Sequence, residues 1–492
     1  MARGAWKTAG PRKTPGAGKT FGIRWRFVVA LPLSIAVATA AAQALPPQLQ
    51  KAWQATALPQ SALSLVVREI GAGTLVSVNP QTPRNPASVM KMVTTWTGLS
   101  GLGPDYQWRT TLLARGGGRV DAQGTLRGPL YVKAGGDPSL TIQDLWNLLR
   151  ELRLRGIKNL GDVVVDRSVF GNVATDPGAF DDSPYHPYNA SPDAMMVNLG
   201  AVRLLFEPDA AAKKWIPILD PPLRGLRLDG GVRWSNGRCA GAPVVAVTET
   251  ASADGVVINA SGTVAGSCGE FSVYRLALSQ PAYFSALFRM LWRDLGGTLA
   301  RGVESGTVPA TAQPIVWHDS EPLSNVIRVI NKYSNNVMAR TLLLTIGAEE
   351  NGPGATTTSG AAAALAILAD QHVDTAGWRI VNGAGLARES RLTAGGLAGM
   401  LDTAWQSPLM PEFVSSLAIA GMDGTVRRRL RGEHTRGVAH LKTGTLRDAS
   451  SLAGYVLSGS GRRYVVVSFV NNENATAARA FDDAVIAWLA GL

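Results

Sequence analysis

Three short segments carry side chains that could do chemistry together. Ser88 and Lys91 stand as S-x-x-K within Asn85-Pro86-Ala87-Ser88-Val89-Met90-Lys91, the one such spacing in the 492-residue chain. Pro86 suits the approach to a helix, and the residues after Ser88 read as one. Ser88 then lies at the first turn with Lys91 one turn along, on the same face. The helix N-terminus would aim free N–H groups and its positive dipole end at the serine. A serine beside a lysine is a nucleophile with a base in reach, provided something lowers the lysine's pKa. The plainer alternative is an amphipathic helix with a chance serine and a surface lysine.

Ser334-Asn335-Asn336 forms the second segment. Leu323, Val326, Ile327 and Ile330 mark one face of a helix that breaks just before it, and a second helix starts near Val337. A hydroxyl and an amide at such a junction can point into a cleft. The other S-x-N, Ser77-Val78-Asn79, precedes Ser88 inside a strand and is set aside. Third comes Lys442-Thr443-Gly444-Thr445, the one K-[ST]-G, on an apolar strand over 438–445. Gly444 removes a side chain where another backbone could approach, and Lys442 and Thr443 add a charge and a hydroxyl beside it.

The elements that must position these residues fall into blocks. A short helix over 48–57 precedes a strand pair, 62–69 and 74–79, turned at Gly71-Ala72-Gly73. From about Trp108 short strands and glycine turns dominate, with a helix over 142–154 and strands expected at 161–166, 195–199 and 202–206. Residues 209–270 are β-rich, and 275–296 returns to helix. At the C-terminus three strands (438–445, 451–457, 463–470) suggest an antiparallel meander with an amphipathic helix, 476–489, packed on it. The expected class is α+β, an antiparallel sheet flanked by helices with β-rich insertions.

Composition narrows the class of function. The net charge of +12 comes largely from residues 1–44, which hold seven basic residues and no acid, so the remainder carries only +5. That remainder has no Lys/Arg run of nucleic-acid type except around Arg427 to Arg431, which reads as a solvated face. Residues 1–44 read as an export signal: a basic stretch, an apolar stretch from Phe27, and Ala42-Gln43-Ala44 as the cleavage pattern. The apolar part, interrupted by Pro32, falls short of the ~20 residues a spanning helix needs. Cleavage after Ala44 and a periplasmic destination are therefore expected, with at most peripheral membrane contact. In an exported chain Cys239 and Cys268, the only cysteines, are expected to pair. The five histidines lack ligand spacing, so neither metal nor cofactor is expected. No G-x-S-x-G occurs, which removes the main cue for an α/β-hydrolase.

S-x-x-K, S-x-N and K-T-G in that order resemble the signature of the penicillin-recognising serine acyl-transferases. Ser88 and Ser334 lie 246 positions apart, room for domains inserted between the first two motifs. That layout resembles the D-alanyl-D-alanine carboxypeptidase/endopeptidase family of penicillin-binding protein 4, the class C low-molecular-mass group. Gly136-Asp137-Pro138, Tyr188-Asn189-Ala190 and Ala420-Gly421-Met422-Asp423-Gly424-Thr425 support it. Two departures are Asn382-Gly383-Ala384-Gly385-Leu386, where the family tends to D-G-S-G-L, and Leu417-Ala418-Ile419 in place of L-P-I/V.

The resemblance implies a β-lactamase/transpeptidase-like catalytic domain over 45–110 and 313–492. It also implies a second domain over 111–207 and 271–312, with a third, 208–270, nested in it. It implies that Ser88 attacks the carbonyl between two terminal D-alanines of a peptidoglycan stem peptide and that Lys91 is the base. Ser334 would relay a proton to the leaving amine and Asn336 would bind the substrate amide. Lys442, Thr443 and Thr445 would hold the substrate carboxylate, with the N–H groups of Ser88 and Thr445 as the oxyanion hole. β-Lactams would be trapped on Ser88, and no nucleic acid is expected as partner. The rivals are a serine β-lactamase, which would release the same adduct quickly, and a non-catalytic wall-binding or β-lactam-sensing protein.

Overall fold

The computed structural model describes residues 45–252 and 255–492, so the expected export signal lies outside the described residues. The site is framed by one antiparallel sheet. Its strands are β1 (Leu63–Glu69), β2 (Gly73–Val78), β3 (Ala418–Ile419), β4 (Ala439–Leu446), β5 (Ala449–Leu457) and β6 (Arg463–Asn471), in spatial order β3-β4-β5-β6-β1-β2. The N-terminal hairpin closes against the C-terminal meander, with Leu63 opposite Val470 and Glu69 opposite Tyr464. Segments on the order of 400 residues apart in sequence thus share one sheet.

β6 carries the run Tyr-Val-Val-Val-Ser-Phe-Val because both of its faces are covered. Val465, Val467 and Phe469 join the core beneath helices α2 (Met90–Leu102), α3 (Leu323–Tyr333), α4 (Asn336–Asn351), α5 (Thr357–Asp370) and α6 (Ala394–Gln406). Tyr464, Val466 and Val470 join the opposite core, under α1 (Pro47–Gln54) and α7 (Arg479–Ala490). α7 contributes Phe481, Val485, Ile486 and Leu489 there, the face expected of the closing helix.

Between α2 and α3 the chain builds a mixed five-stranded sheet, in the order Val303–Ser305, Val163–Asp166, Leu130–Lys133, Arg109–Arg115, Ala312–Asp319. Helices Ile142–Leu154 and Gln280–Asp294 cover it with their own apolar core. The expected boundaries at 110/111 and 312/313 fall inside strands Arg109–Arg115 and Ala312–Asp319, which pair with each other.

The nested block also begins earlier and ends later than expected. Strands Ala201–Asp209 and Phe271–Leu276 pair, and their side chains share a small core with Trp215, Val232 and Ile258. The block therefore runs from about 201 to 276, with Cys239 and Cys268 disulfide-bonded at a Cα–Cα distance of 4.9 Å. Residues 195–199, expected to be a strand, are not one. Asn198 and Leu199 take positive φ (47° and 58°), and the strand starts only at Ala201. No described helix is long and apolar enough to cross a membrane.

Candidate active site

The Ser88 turn is held from three sides. Asn85 Oδ1 accepts Ala87 N–H at 2.9 Å, Asn85 N–H donates to Asn471 Oδ1 at 2.8 Å, and Ser451 Oγ–H donates to Pro86 O at 2.6 Å. These bonds fix Ala87 at φ 45°, a left-handed conformation that costs a non-glycine residue about 1–2 kcal/mol. One 3-10 turn, Ala87–Val89, then feeds α2 and puts Ser88 at its mouth. Gly444 on β4 packs against this turn: a Cβ there would sit 2.8 Å from both Pro86 O and Ser88 N. Glycine is required because two backbones meet.

Lys91 is fully buried, and its Nζ has three neighbours: Ser88 Oγ at 2.9 Å, Asn336 Oδ1 at 2.6 Å and Ala384 O at 2.6 Å. Burial holds its pKa well below the usual lysine value, and the charges of Lys442 and Arg340 push it the same way. A neutral amine has two N–H donors and one lone pair. Asn336 Oδ1 and Ala384 O can only accept, so they take both hydrogens. In that neutral form the lone pair is left for the Ser88 hydroxyl 2.9 Å away.

The second motif divides its labour residue by residue. Ser334 ends α3 in the left-handed conformation (φ 59°), Asn335 caps α4 by accepting Met338 N–H at 3.1 Å, and Asn336 is the first residue of α4. The sharp reversal turns Ser334 Oγ toward Lys442, whose Nζ donates to it at 3.0 Å and to Thr443 O at 2.7 Å. Lys442 is also fully buried, and burial pulls its pKa down from 10.5 to about 7. Thr443 Oγ1 lies 2.8 Å from Thr425 Oγ1, so the Ala420–Thr425 segment reaches the third motif. That segment is anchored by Lys332 Nζ donating to Asp423 Oδ2 at 2.6 Å. β3 pairs only with Leu441 and His440, so β4 from Lys442 onward keeps an open outer edge.

Ser88, Lys91 and Asn336 therefore form one run of contacts and Ser334 and Lys442 a second, and the Lys442 charge acts on Lys91. Thr443, Gly444 and Thr445 lie on the strand beside them, and Arg479 reaches Thr445 Oγ1 at 3.5 Å. Cys239 and Cys268 are bonded in the nested block instead, serving structure. Two participants carried no local signal. Ala384 contributes only a carbonyl, presented by a turn in which Asn382 Oδ1 accepts Ala384 N–H and Nδ2 donates to Leu386 O. That turn is the Asn382–Leu386 departure noted above. Arg340, one helical turn after Asn336, is buried, with its pKa lowered by burial to about 10. It donates to Ala190 O at 3.1 Å, and Asn336 Nδ2 reaches Tyr188 O at 3.4 Å. Two residues of α4 thus tie the Tyr188-Asn189-Ala190 segment of the insertion to the cleft.

Comparison with known proteins gives a consistent result. The profile of the D-Ala-D-Ala carboxypeptidase 3 (S13) family matches residues 45–492. A D-alanyl-D-alanine carboxypeptidase of Actinomadura sp. (strain R39) is 30% identical over 434 residues, covering 82% of this chain and 76% of that one. D-alanyl-D-alanine carboxypeptidase DacB of Haemophilus influenzae is 24% identical over 420 residues, covering 84% and 86%. Among solved structures, penicillin binding protein 4 (dacB) from Haemophilus influenzae superposes with a TM-score of 0.73 at 22% identity. It covers 90% of this chain and 99% of that one. The same protein complexed with a β-lactam gives a TM-score of 0.70.

Proposed function

The chain belongs to the D-Ala-D-Ala carboxypeptidase 3 (S13) family, and from that premise we propose that it is a serine-type DD-peptidase working through an acyl-enzyme on Ser88. The observation that supports the assignment of roles is the buried Lys91 amine, whose Nζ lies 2.9 Å from Ser88 Oγ and 2.6 Å from both Asn336 Oδ1 and Ala384 O.

Ser88 Oγ gives its proton to Lys91 Nζ and attacks the carbonyl carbon of the penultimate D-alanine. The N–H groups of Ser88 and Thr445 receive the oxyanion, an interaction typically worth about 3–4 kcal/mol. The C–N bond then breaks, and the proton passes from Lys91 through the Ser334 hydroxyl to the leaving amine. Asn336 Nδ2 binds the substrate amide. Lys442, with Thr443 and Thr445, holds the terminal carboxylate, and that negative charge favours the protonated form of Lys442. Water attacks the acyl carbonyl, and Ser88 recovers its proton. The open edge of β4 can take the substrate as an added strand. β-Lactams would acylate the same serine. The substrates we assign are peptidoglycan stem peptides, either the terminal D-alanine or the D-alanyl cross-link, met after export to the periplasm.

The test is release of D-alanine from a synthetic pentapeptide ending in D-Ala-D-Ala, together with fragment analysis of cross-linked peptidoglycan digests. Ser88→Ala should abolish both activities. Residual turnover near wild type would end the proposal.

A further inference from the structure

Beside the second motif opens a cleft of about 820 Å³, far larger than a single alanine residue and within the ~300–1,000 Å³ typical of small-ligand sites. One wall belongs to the catalytic helices, through Val329, Asn335 and Met338, and the other to the insertion, through Tyr188, Arg203 and Tyr274. It lies next to the reaction centre: its lining residue Asn335 is flanked by Ser334 and Asn336, and Tyr188 O lies 3.4 Å from Asn336 Nδ2. Large apolar side chains stay wet around it, with Tyr274 51%, Tyr188 39% and Val329 37% exposed. Tyr333, one helical turn after Val329 on the same face of α3, is 69% exposed. Exposed aromatic surface gathered at a concavity marks a binding site. Polar groups stand among the rings: Arg203 and Asp220, ion-paired at 3.1 Å, with Ser139 and Asn198.

Tyrosine faces interleaved with paired charges, an amide and a hydroxyl suit a ligand that is itself amphipathic ring by ring. We propose that this cleft binds an N-acetylated amino sugar of the glycan strand whose stem peptide occupies the Ser88 site. The sugar's C–H face lies on Tyr274 and Tyr188, and its hydroxyl and acetamido groups meet Arg203, Asp220 and Asn198. The assignment rests on the DD-peptidase reading and deepens it, because it makes the glycan-linked peptide the preferred substrate.

The experiment compares the free pentapeptide with the same pentapeptide carrying its disaccharide, in wild type and in Tyr274→Ala and Arg203→Gln. Both variants lie outside the reaction centre, and Tyr274 is exposed enough for its loss to spare the fold. Wild type should show at least a tenfold lower KM for the disaccharide-peptide. The variants should lose that advantage while kcat/KM on the free pentapeptide stays within twofold of wild type. Equal KM values for the two substrates in wild type would overturn the proposal, as would variants that impair both substrates alike. Loss confined to cross-linked peptide dimers lacking sugar would also overturn it, in favour of a second stem peptide. Binding of the disaccharide alone to Ser88→Ala, followed by NMR, is read separately, so a failure of the peptidase reading would leave this result interpretable.

Discussion

The cleft and the nested block at 201–276 place opposite demands on the chain. The cleft buries two lysines completely, between a sheet covered on both faces and a bundle of helices. Desolvating an amine is costly, and that broad apolar frame supplies the offsetting stability. Among the described residues the nested block has nine buried apolar residues between two three-stranded sheets, and a disulfide joins Cys239 to Cys268. A core that small needs a covalent staple. Its buried titratable group is a carboxyl: Glu249, 3.7 Å from Arg275, is pushed up by burial to about 7. The lesson is that the cleft spends apolar packing on making a base, whereas the nested block spends a cross-link on holding a shape.

The sharpest way to break this contrast is Gly444→Ala. A single methyl in the cleft, 2.8 Å from Ser88 N, should shift the serine turn and slow acylation by penicillin about a hundredfold or more. Acylation unchanged by that variant would mean that β4 does not hold Ser88.

Lys442→Met comes next. Hydrolysis of substrates with a free carboxylate should drop about tenfold to a hundredfold, while stability rises. The sign follows from the pKa. An unfolded lysine titrates at 10.5 and the buried one at about 7. The stabilisation is thus complete above 10.5 and lost as pH falls toward 7, by an amount on the order of a few kcal/mol. Melting curves of wild type should therefore climb between pH 7 and 10, and those of the variant should climb less. The alkaline limb of kcat/KM in wild type should also reflect loss of the Lys442 charge above about pH 7.

A smaller effect is expected at Arg340→Gln. Without that cation Lys91 holds its proton to higher pH, so the acid limb of kcat/KM should move upward while activity on the alkaline side changes little. Arg340→Lys should restore the wild-type limb. A uniform loss across pH in both variants would make Arg340 a purely structural tie to Ala190.

Least effect on catalysis is expected in the nested block. Replacing Cys239 and Cys268 by serine should cost about 3 kcal/mol of local stability, read by hydrogen exchange around Trp215 and Trp234, with penicillin acylation unchanged. There the pH dependence should run the other way. Glu249's raised pKa gives stability that is full below 4.5 and lost as pH rises to about 7, and Glu249→Gln should flatten that slope.

How much was legible in the sequence follows the range of the interactions. The hairpin at Gly71–Gly73, the terminal meander and the α3 face all came from local periodicity, and each formed within a few residues of its expected bounds. The three motifs were readable because each sits on a locally defined element. The helices α5, α6 and Met410–Ser416 were not marked, since short side chains and glycines (as in Ala-Gly-Gly-Leu-Ala-Gly of α6) blur any apolar stripe. The 195–199 segment misled because Asn198 and Leu199 take positive φ, a state that alternation of apolar residues does not encode. Ala384 stayed invisible for a deeper reason: a backbone carbonyl has no residue type, and its role comes from Lys91, nearly 300 positions away. Arg340 carries no local signal either, because its effect on Lys91 depends on burial and on contacts with the insertion.

The most direct measurement is intact-protein and peptide mass spectrometry after brief exposure to benzylpenicillin. A single adduct on Ser88 with a slow return of free enzyme is expected, and Lys91→Ala should fail to form it. An adduct on another residue, undiminished labelling of Lys91→Ala, or no labelling of wild type would contradict a Ser88–Lys91 acylation centre. Release of the adduct at each turnover would keep the centre but make the protein a β-lactamase.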